Sequence, residues 1–238
     1  MVVLHYPLSS SPEIGLPGTS RSSAMYSIAP NKEVLWSTID LLTWKLSNTD
    51  NHLLQKKEEF IKGYSNVILA AAHEFNISPV LLAAVSWREF GGDPMWIDDL
   101  AYSIRQIDHV SDFFSEEMSV TRPVLETSFG NVSIQVRRAA AILGYDPETL
   151  SGKDARLIAA LLKDPVCNLF IAAHHLSDLS KIDFPEKEMT DLTDDDLKIT
   201  ATRFYRGPEL TLDQIKADTR YGENVLKRFE LLNSLLAD

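Results

Sequence analysis

Ser78–Pro94, SPVLLAAVSWREFGGDP, is the stretch whose reading decides the fold. Ser78 is suited to cap a helix and Pro79 to fill its first position. Val80 to Trp87 follows with hardly a polar atom. A helix that is apolar on all sides belongs inside a protein. Phe90-Gly91-Gly92-Asp93-Pro94 then stops it, because glycine accepts a left-handed cap and proline cannot continue a helix. Glu89 falls in the last turn, beside Trp87 and Phe90. A carboxyl group in an apolar pocket has a raised pKa and can donate a proton near neutral pH. The negative end of the helix dipole pushes the same way. The competing reading is a surface ion pair between Glu89 and Arg88 or another arginine.

On the N-terminal side, apolar spacing predicts a helix over Asn31–Leu46, with Val34, Leu35, Ile39, Leu42 and Trp44 on one side. Ser47-Asn48-Thr49-Asp50-Asn51 breaks the chain. A longer helix is expected over Leu53–Phe75, with Phe60, Tyr64, Val67, Ile68, Ala71 and Phe75 at helical steps. Residues 1–30 are rich in Ser, Pro and Gly and read as a loosely docked tail, which leaves 31–238 as the folded domain.

On the C-terminal side the pattern loosens after Pro94 and then recovers. Thr127–Asn131 reads as a loop leading through Val132–Val136 into a helix over Arg137–Leu143, closed by Gly144. Helices are expected over Lys153–Leu162, Val166–Leu179, Asp194–Tyr205 with Thr193 as its cap, Leu212–Ala217 and Tyr221–Leu236. His174 and His175 read as structural, and the acidic run before Thr193 as a solvated loop rather than a calcium loop. The class is mainly α, with at most a small β element within residues 95–135.

Composition narrows the function. The 238 residues are 45% hydrophobic and 24% charged, enough for a substantial core. The net charge of -11 argues against nucleic acid and anionic membranes as partners. No run is long and apolar enough for a membrane helix, and the N-terminus lacks the pattern of a secretory signal. The single cysteine, Cys167, excludes an internal disulfide and reads as a small buried hydrophobe. No cofactor or metal is expected.

Four segments stand in a telling order. A buried helix ends in Glu89. Ser128-Phe129-Gly130 leads to Ile134-Gln135-Val136 and Ala139. Asp164-Pro165-Val166-Cys167-Asn168 runs on to Ala172-Ala173-His174-His175-Leu176. Thr200-Ala201-Thr202-Arg203-Phe204-Tyr205-Arg206-Gly207 comes last. This order resembles the lysozyme-like superfamily, specifically goose-type lysozymes and soluble lytic transglycosylases. The family usually has Glu-Ser where this chain has Glu89-Phe90, and Tyr-Asn-x-Gly where this chain has Tyr205-Arg206-Gly207. The segment from Gly130 to Gln135 is a loose match to the usual Gly-Leu-Met-Gln.

The resemblance implies a lysozyme-like helical domain whose small β element lies near the cleft. It implies a muramidase cleaving the bond between N-acetylmuramic acid and N-acetylglucosamine in peptidoglycan, with Glu89 as the general acid. An inverting hydrolase would need a second carboxylate about 6.5–9.5 Å away to activate water. Asp93 and Asp98 are the first candidates, with Asp99 and Glu126 behind them; as loop residues all four also suit solvation and capping. A lytic transglycosylase would need none, because the sugar's 6-hydroxyl attacks. Ser128, Gly130, Gln135 and Tyr205 would line the cleft, and Trp96 and Tyr102 would stack on sugar faces, although such residues also serve as core. Arg88, Arg105, Arg137, Arg138, Arg203 and Arg206 are candidates for a locally basic cleft. A wall hydrolase lacking a signal peptide suggests a phage endolysin or a monomeric antibacterial effector of a type VI secretion system. The effector would act in a neighbour's periplasm and be held in check by a cognate immunity protein. The alternative is an inactive binding or adaptor module on the same scaffold.

Overall fold

In the computed structural model, which describes residues 27–47, 49–91, 125–126 and 128–237, the run after Ser78 is a helix, Pro79–Glu89. The Ser78 hydroxyl accepts the Leu81 N–H at 3.4 Å, Pro79 opens the helix, and Leu81 to Trp87 are all buried. Burying each Leu or Val of this run contributes about 1.5–3 kcal/mol. The one hydroxyl within it, Ser86, donates to the Leu82 carbonyl at 2.7 Å and so carries no unpaired donor into the core. The helix ends at Glu89 through an extended Phe90, and the left-handed residue is Gly91, at φ 87°.

Numbered in chain order, the helices are α1 (Thr38–Leu46), α2 (Asn51–Gly63), α3 (Ser65–Glu74), α4 (Pro79–Glu89), α5 (Val136–Ile142), α6 (Gly152–Lys163), α7 (Pro165–Asp183), α8 (Asp194–Arg206), α9 (Leu212–Lys216), α10 (Arg220–Leu226) and α11 (Phe229–Ala237). A short antiparallel hairpin, β1 (Ser128–Phe129) and β2 (Ile134–Gln135), precedes α5, with Ser128 opposite Gln135 and Phe129 opposite Ile134. The chain is therefore mainly helical, with one small β element among the described residues. Helix α4 packs against α2, α3, α7, α8, α10 and α11, and one apolar cluster runs from Val34 to Leu235 around it. No single described helix is long and apolar enough to cross a membrane.

Three expected helices are divided or shortened. The first begins only at Thr38, because Ser37 and Asp40 form a reciprocal capping box there. Its predicted inner side fails as well. Val34 is buried, but Leu35, Ile39 and Leu42 are exposed. The second breaks between Gly63 and Ser65, where the incoming chain crosses it: the Lys32 N–H donates to the Gly63 carbonyl at 3.1 Å, and a Cβ on Gly63 would lie 2.5 Å from the Lys32 oxygen. The last divides into α10 and α11 around Lys227 and Arg228. Elsewhere the cap expected at Thr193 holds, forming a capping box with Asp196, and Asp164 caps α7 by accepting the Cys167 N–H at 2.8 Å.

Candidate active site at the end of the central helix

Glu89 is half-buried, and its partner is a phenol: the Tyr221 hydroxyl donates to Glu89 Oε1 at 2.6 Å. Among the described residues Glu89 has no ion pair, so the surface Glu89–Arg88 pair considered from sequence does not form. Burial first, and then the Glu89 charge, push the Tyr221 phenol above its ordinary range. It therefore stays protonated and remains a donor. Its ring stacks on Tyr205, centroids 4.9 Å apart at 7°, and Tyr205 is 67% exposed. The Arg88 guanidinium carbon lies 5.9 Å from the Tyr221 centroid. Phe90, expected beside the carboxylate, belongs to the core and stacks on Phe60 at 4.4 Å. The aromatic ring on Glu89 is that of Tyr221.

Tyr221 reaches Glu89 because its neighbour is Gly222. A Cβ there would lie 2.1 Å from the Lys198 carbonyl oxygen and 2.7 Å from Thr202 Oγ1. The missing side chain lets α10 lie directly on α8, where the Gly222 N–H donates to Thr202 Oγ1 at 3.2 Å. The same hydroxyl donates to the Lys198 carbonyl at 2.8 Å, which completes its pairing. Beyond Tyr205 the chain is fixed by Arg203. This residue is fully buried, pairs with Asp183 through two bonds of 2.7 Å, and donates to the carbonyls of Pro208 at 3.1 Å and Leu210 at 2.8 Å. Gly207, at φ 105°, makes the turn.

At the end of α4, the buried Lys57 ammonium donates to the carbonyls of Trp87 and Phe90. It thereby satisfies acceptors that the helix end leaves open, and places a cation at the negative end of the dipole. Burial pulls its pKa from 10.5 to about 8; the Glu89 carboxylate opposes this, and Arg88 and Arg228 add to it. An open cavity of about 520 Å3 shares Lys57 and Arg88, and Leu54, Trp87, Lys227 and Arg228 complete most of its wall.

The predicted site residues divide. Tyr205 comes to Glu89 through Tyr221. Ser128 pairs with Gln135 in the hairpin, and the Gln135 side-chain oxygen accepts from Arg137 Nε at 3.1 Å, while Arg137 also reaches Glu209 at 3.9 Å. Gly130, at φ 84°, has a packing reason: a Cβ would lie 2.2 Å from the Leu162 oxygen and 2.5 Å from Asn168 Nδ2. Asn168 holds this turn by accepting the Val132 N–H at 2.7 Å and donating to its carbonyl at 3.2 Å. Glu126 lines a separate cavity of about 180 Å3 with Arg137 and Glu148. Asp93, Trp96, Asp98, Asp99, Tyr102 and Arg105 lie outside the described residues.

The expected basic residues need correction. Arg203 is spent on Asp183 and two carbonyls inside the protein, Arg138 donates to the Phe204 carbonyl at 3.2 Å, and Arg206 to the Gln214 carbonyl at 2.6 Å. Only Arg88 of that set, among the described residues, lies at the cavity, where Lys57, Lys227 and Arg228 join it. Sequence reading missed these three and Tyr221. Tyr221-Gly222, an aromatic beside a glycine at the head of a helix, was the available signal.

Among the described residues no group of three or more His, Cys, Asp or Glu is arranged to hold a metal ion. His175 is buried and held near pKa 3 by desolvation, with repulsion from Arg138 and His174 behind it. The Cys167 thiol is pushed up to about 12 by burial, which keeps it un-ionised and unreactive. No family model, curated protein or solved structure matches this chain.

Proposed function

We propose that the chain is a peptidoglycan muramidase that cleaves the β-1,4 bond between N-acetylmuramic acid and N-acetylglucosamine, with Glu89 as its general acid. The observation that carries this reading is the Tyr221 hydroxyl on Glu89 Oε1, at a carboxylate with no cation paired to it among the described residues. Glu89 is oriented by a neutral donor, and among the described residues nothing pairs with its second oxygen. The exposed Tyr205 ring, backed by Tyr221, offers a flat apolar face of the kind that sugars stack on.

The chemistry follows from that geometry. Protonated Glu89 gives its proton to the bridging oxygen as the C1–O bond breaks and positive charge develops on the ring. Tyr221 fixes the carboxyl plane and supports the carboxylate left behind. Glu89 then acts as base, either toward water or toward the 6-hydroxyl of the same muramic residue.

Incubation of purified peptidoglycan with the wild type and with Glu89→Gln tests this. Soluble muropeptides are expected from the wild type and not from the variant. Mass spectrometry of the products separates anhydro ends (transglycosylase) from reducing ends (hydrolase). If the wild type releases nothing, or the variant releases as much, the catalytic reading fails; glycan binding without release would identify the binding module. Within this reading the protein is a monomeric antibacterial effector, delivered by type VI secretion to the periplasm of target bacteria. A cognate immunity protein would protect the producer by covering the site.

A further inference from the structure

The cavity beside Glu89 is cationic in a protein that is not. The chain carries a net charge of -11, yet Lys57, Arg88, Lys227 and Arg228 meet at one concavity, and among the described residues none that lines it is acidic. Neither Arg88 nor Arg228 has a carboxylate partner among the described residues, and Lys227 reaches only the Asn224 side-chain oxygen, at 3.4 Å. Surface arginines in a protein with an excess of Asp and Glu have acids to pair with; these two line one cavity instead. Arg88 and Arg228 both work against the charge of Lys57. Two of the three Lys57 donors are taken by Trp87 and Phe90, which leaves one N–H. Leu54 and Trp87 supply an apolar part of the wall. The volume of about 520 Å3 is within the range of sites for small ligands, about 300–1,000 Å3.

From this arrangement we infer that the cavity is a subsite for the carboxylate-bearing peptide stem of the glycan, contiguous with Glu89 through Arg88. Arg88 belongs to both places, since its guanidinium lies over the Tyr221 ring and the residue is also part of the cavity wall. A sugar on Tyr205 and Tyr221 would carry its acidic substituent toward Arg88, Lys227 and Arg228. Guanidinium groups bind carboxylates through paired N–H donors, and a concave cationic site focuses its field on an incoming anion against the repulsion of the acidic remainder. The apolar wall suits alkyl side chains of a short peptide better than a bare inorganic anion.

The inference rests on the muramidase reading but is tested by binding rather than cleavage. The probes are muramyl dipeptide with its carboxylate free, the same compound as its amide, neutral N-acetylglucosamine tetramer and inorganic phosphate. Each is titrated by NMR into the wild type, Arg228→Gln and Arg88→Gln; both residues are exposed, so the variants keep the fold. The free acid is expected to bind the wild type and to lose about tenfold in affinity on amidation or in either variant, the scale of one charge-assisted pair. The inference is overturned if acid and amide bind alike, if Arg228→Gln binds like the wild type, or if phosphate alone binds. Failure of the two readings is distinguishable. Arg228-dependent binding without muropeptide release would remove the catalysis and leave the subsite. Muropeptide release with binding indifferent to Arg228 would do the reverse.

Discussion

Lys57 ties the stability of the fold to the geometry of the site, and a pH titration reads that link. Its ammonium is buried against the last turn of α4, where it donates to Trp87 and Phe90 on either side of Glu89. Burial lowers its pKa from 10.5 to about 8, while Glu89, Arg88 and Arg228 are the charges that face it. Below about 8 the lysine is protonated in both the folded and unfolded chains. Between about 8 and 10.5 the folded chain has released the proton and the unfolded chain still holds it. The unfolded state then binds more protons, so stability rises with pH through that window. At about 1.4 kcal/mol per pH unit, the gap between 10.5 and about 8 amounts to roughly 3 kcal/mol. Urea unfolding followed by circular dichroism at steps from pH 7 to 10.5, for the wild type and Lys57→Met, isolates the effect. Tyrosines and other lysines titrate in both proteins and cancel in the difference. The stability of the wild type relative to the variant should rise by roughly 3 kcal/mol across the window, most of it above pH 8. A difference that stays flat to within about 0.5 kcal/mol would refute the reasoning, because a lysine that kept its proton would give no slope.

Three further outcomes follow from the same contacts. Tyr221→Phe keeps the stack on Tyr205 but removes the donor to Glu89; a hydrogen bond to a charged group is worth about 1.5–3 kcal/mol, so the melting temperature should fall by several degrees and, on the muramidase reading, muropeptide release should slow by roughly ten- to a hundredfold. Asp183→Ala leaves the Arg203 guanidinium buried without its counter-ion, which should cost about 3–5 kcal/mol in urea unfolding, while the apolar double replacement Asp183→Leu with Arg203→Met should recover most of it. Buried His175, held near 3 with Arg138 and His174 as the charges facing it, must remain neutral in the fold. As pH falls from about 6.5 toward 3, the unfolded chain takes up that proton first, and the wild type should lose on the order of 4 kcal/mol that His175→Leu keeps. Parallel acid unfolding curves for the two proteins would count against it.

Local chemistry was legible and long-range contact was not. The Ser78 cap, Pro79, the apolar run and the stop after Glu89 are each decided within a few residues, and they came out as read. Thr193 is of the same kind. The break after Gly63 escaped because its cause, the Lys32 carbonyl, is far away in the chain and acts only once the fold has formed. Leu35, Ile39 and Leu42 have helical spacing, but spacing marks a stripe and not what lies opposite it, and here the stripe is exposed. Tyr221 is 132 residues from Glu89, and no sequence pattern joins them.

The arginines make the physical point most sharply. Charge and a place in or near the motif segments put Arg203 and Arg138 in a cleft, because sequence gives the sign of a charge and not its burial. Arg203 sits between Asp183 and two carbonyls, where a guanidinium is tolerable only because its N–H donors are matched. Its task is to hold the turn that follows Tyr205. Gly222 works in parallel: where a side chain would strike Lys198 and Thr202, its absence brings Tyr221 down onto Glu89. Both devices serve the position of two tyrosines relative to one carboxylate. A neutral donor thus fixes the orientation of a half-buried carboxylate at the end of the central helix. That is the physical case for treating the end of α4, rather than the hairpin around Gly130, as the reacting centre.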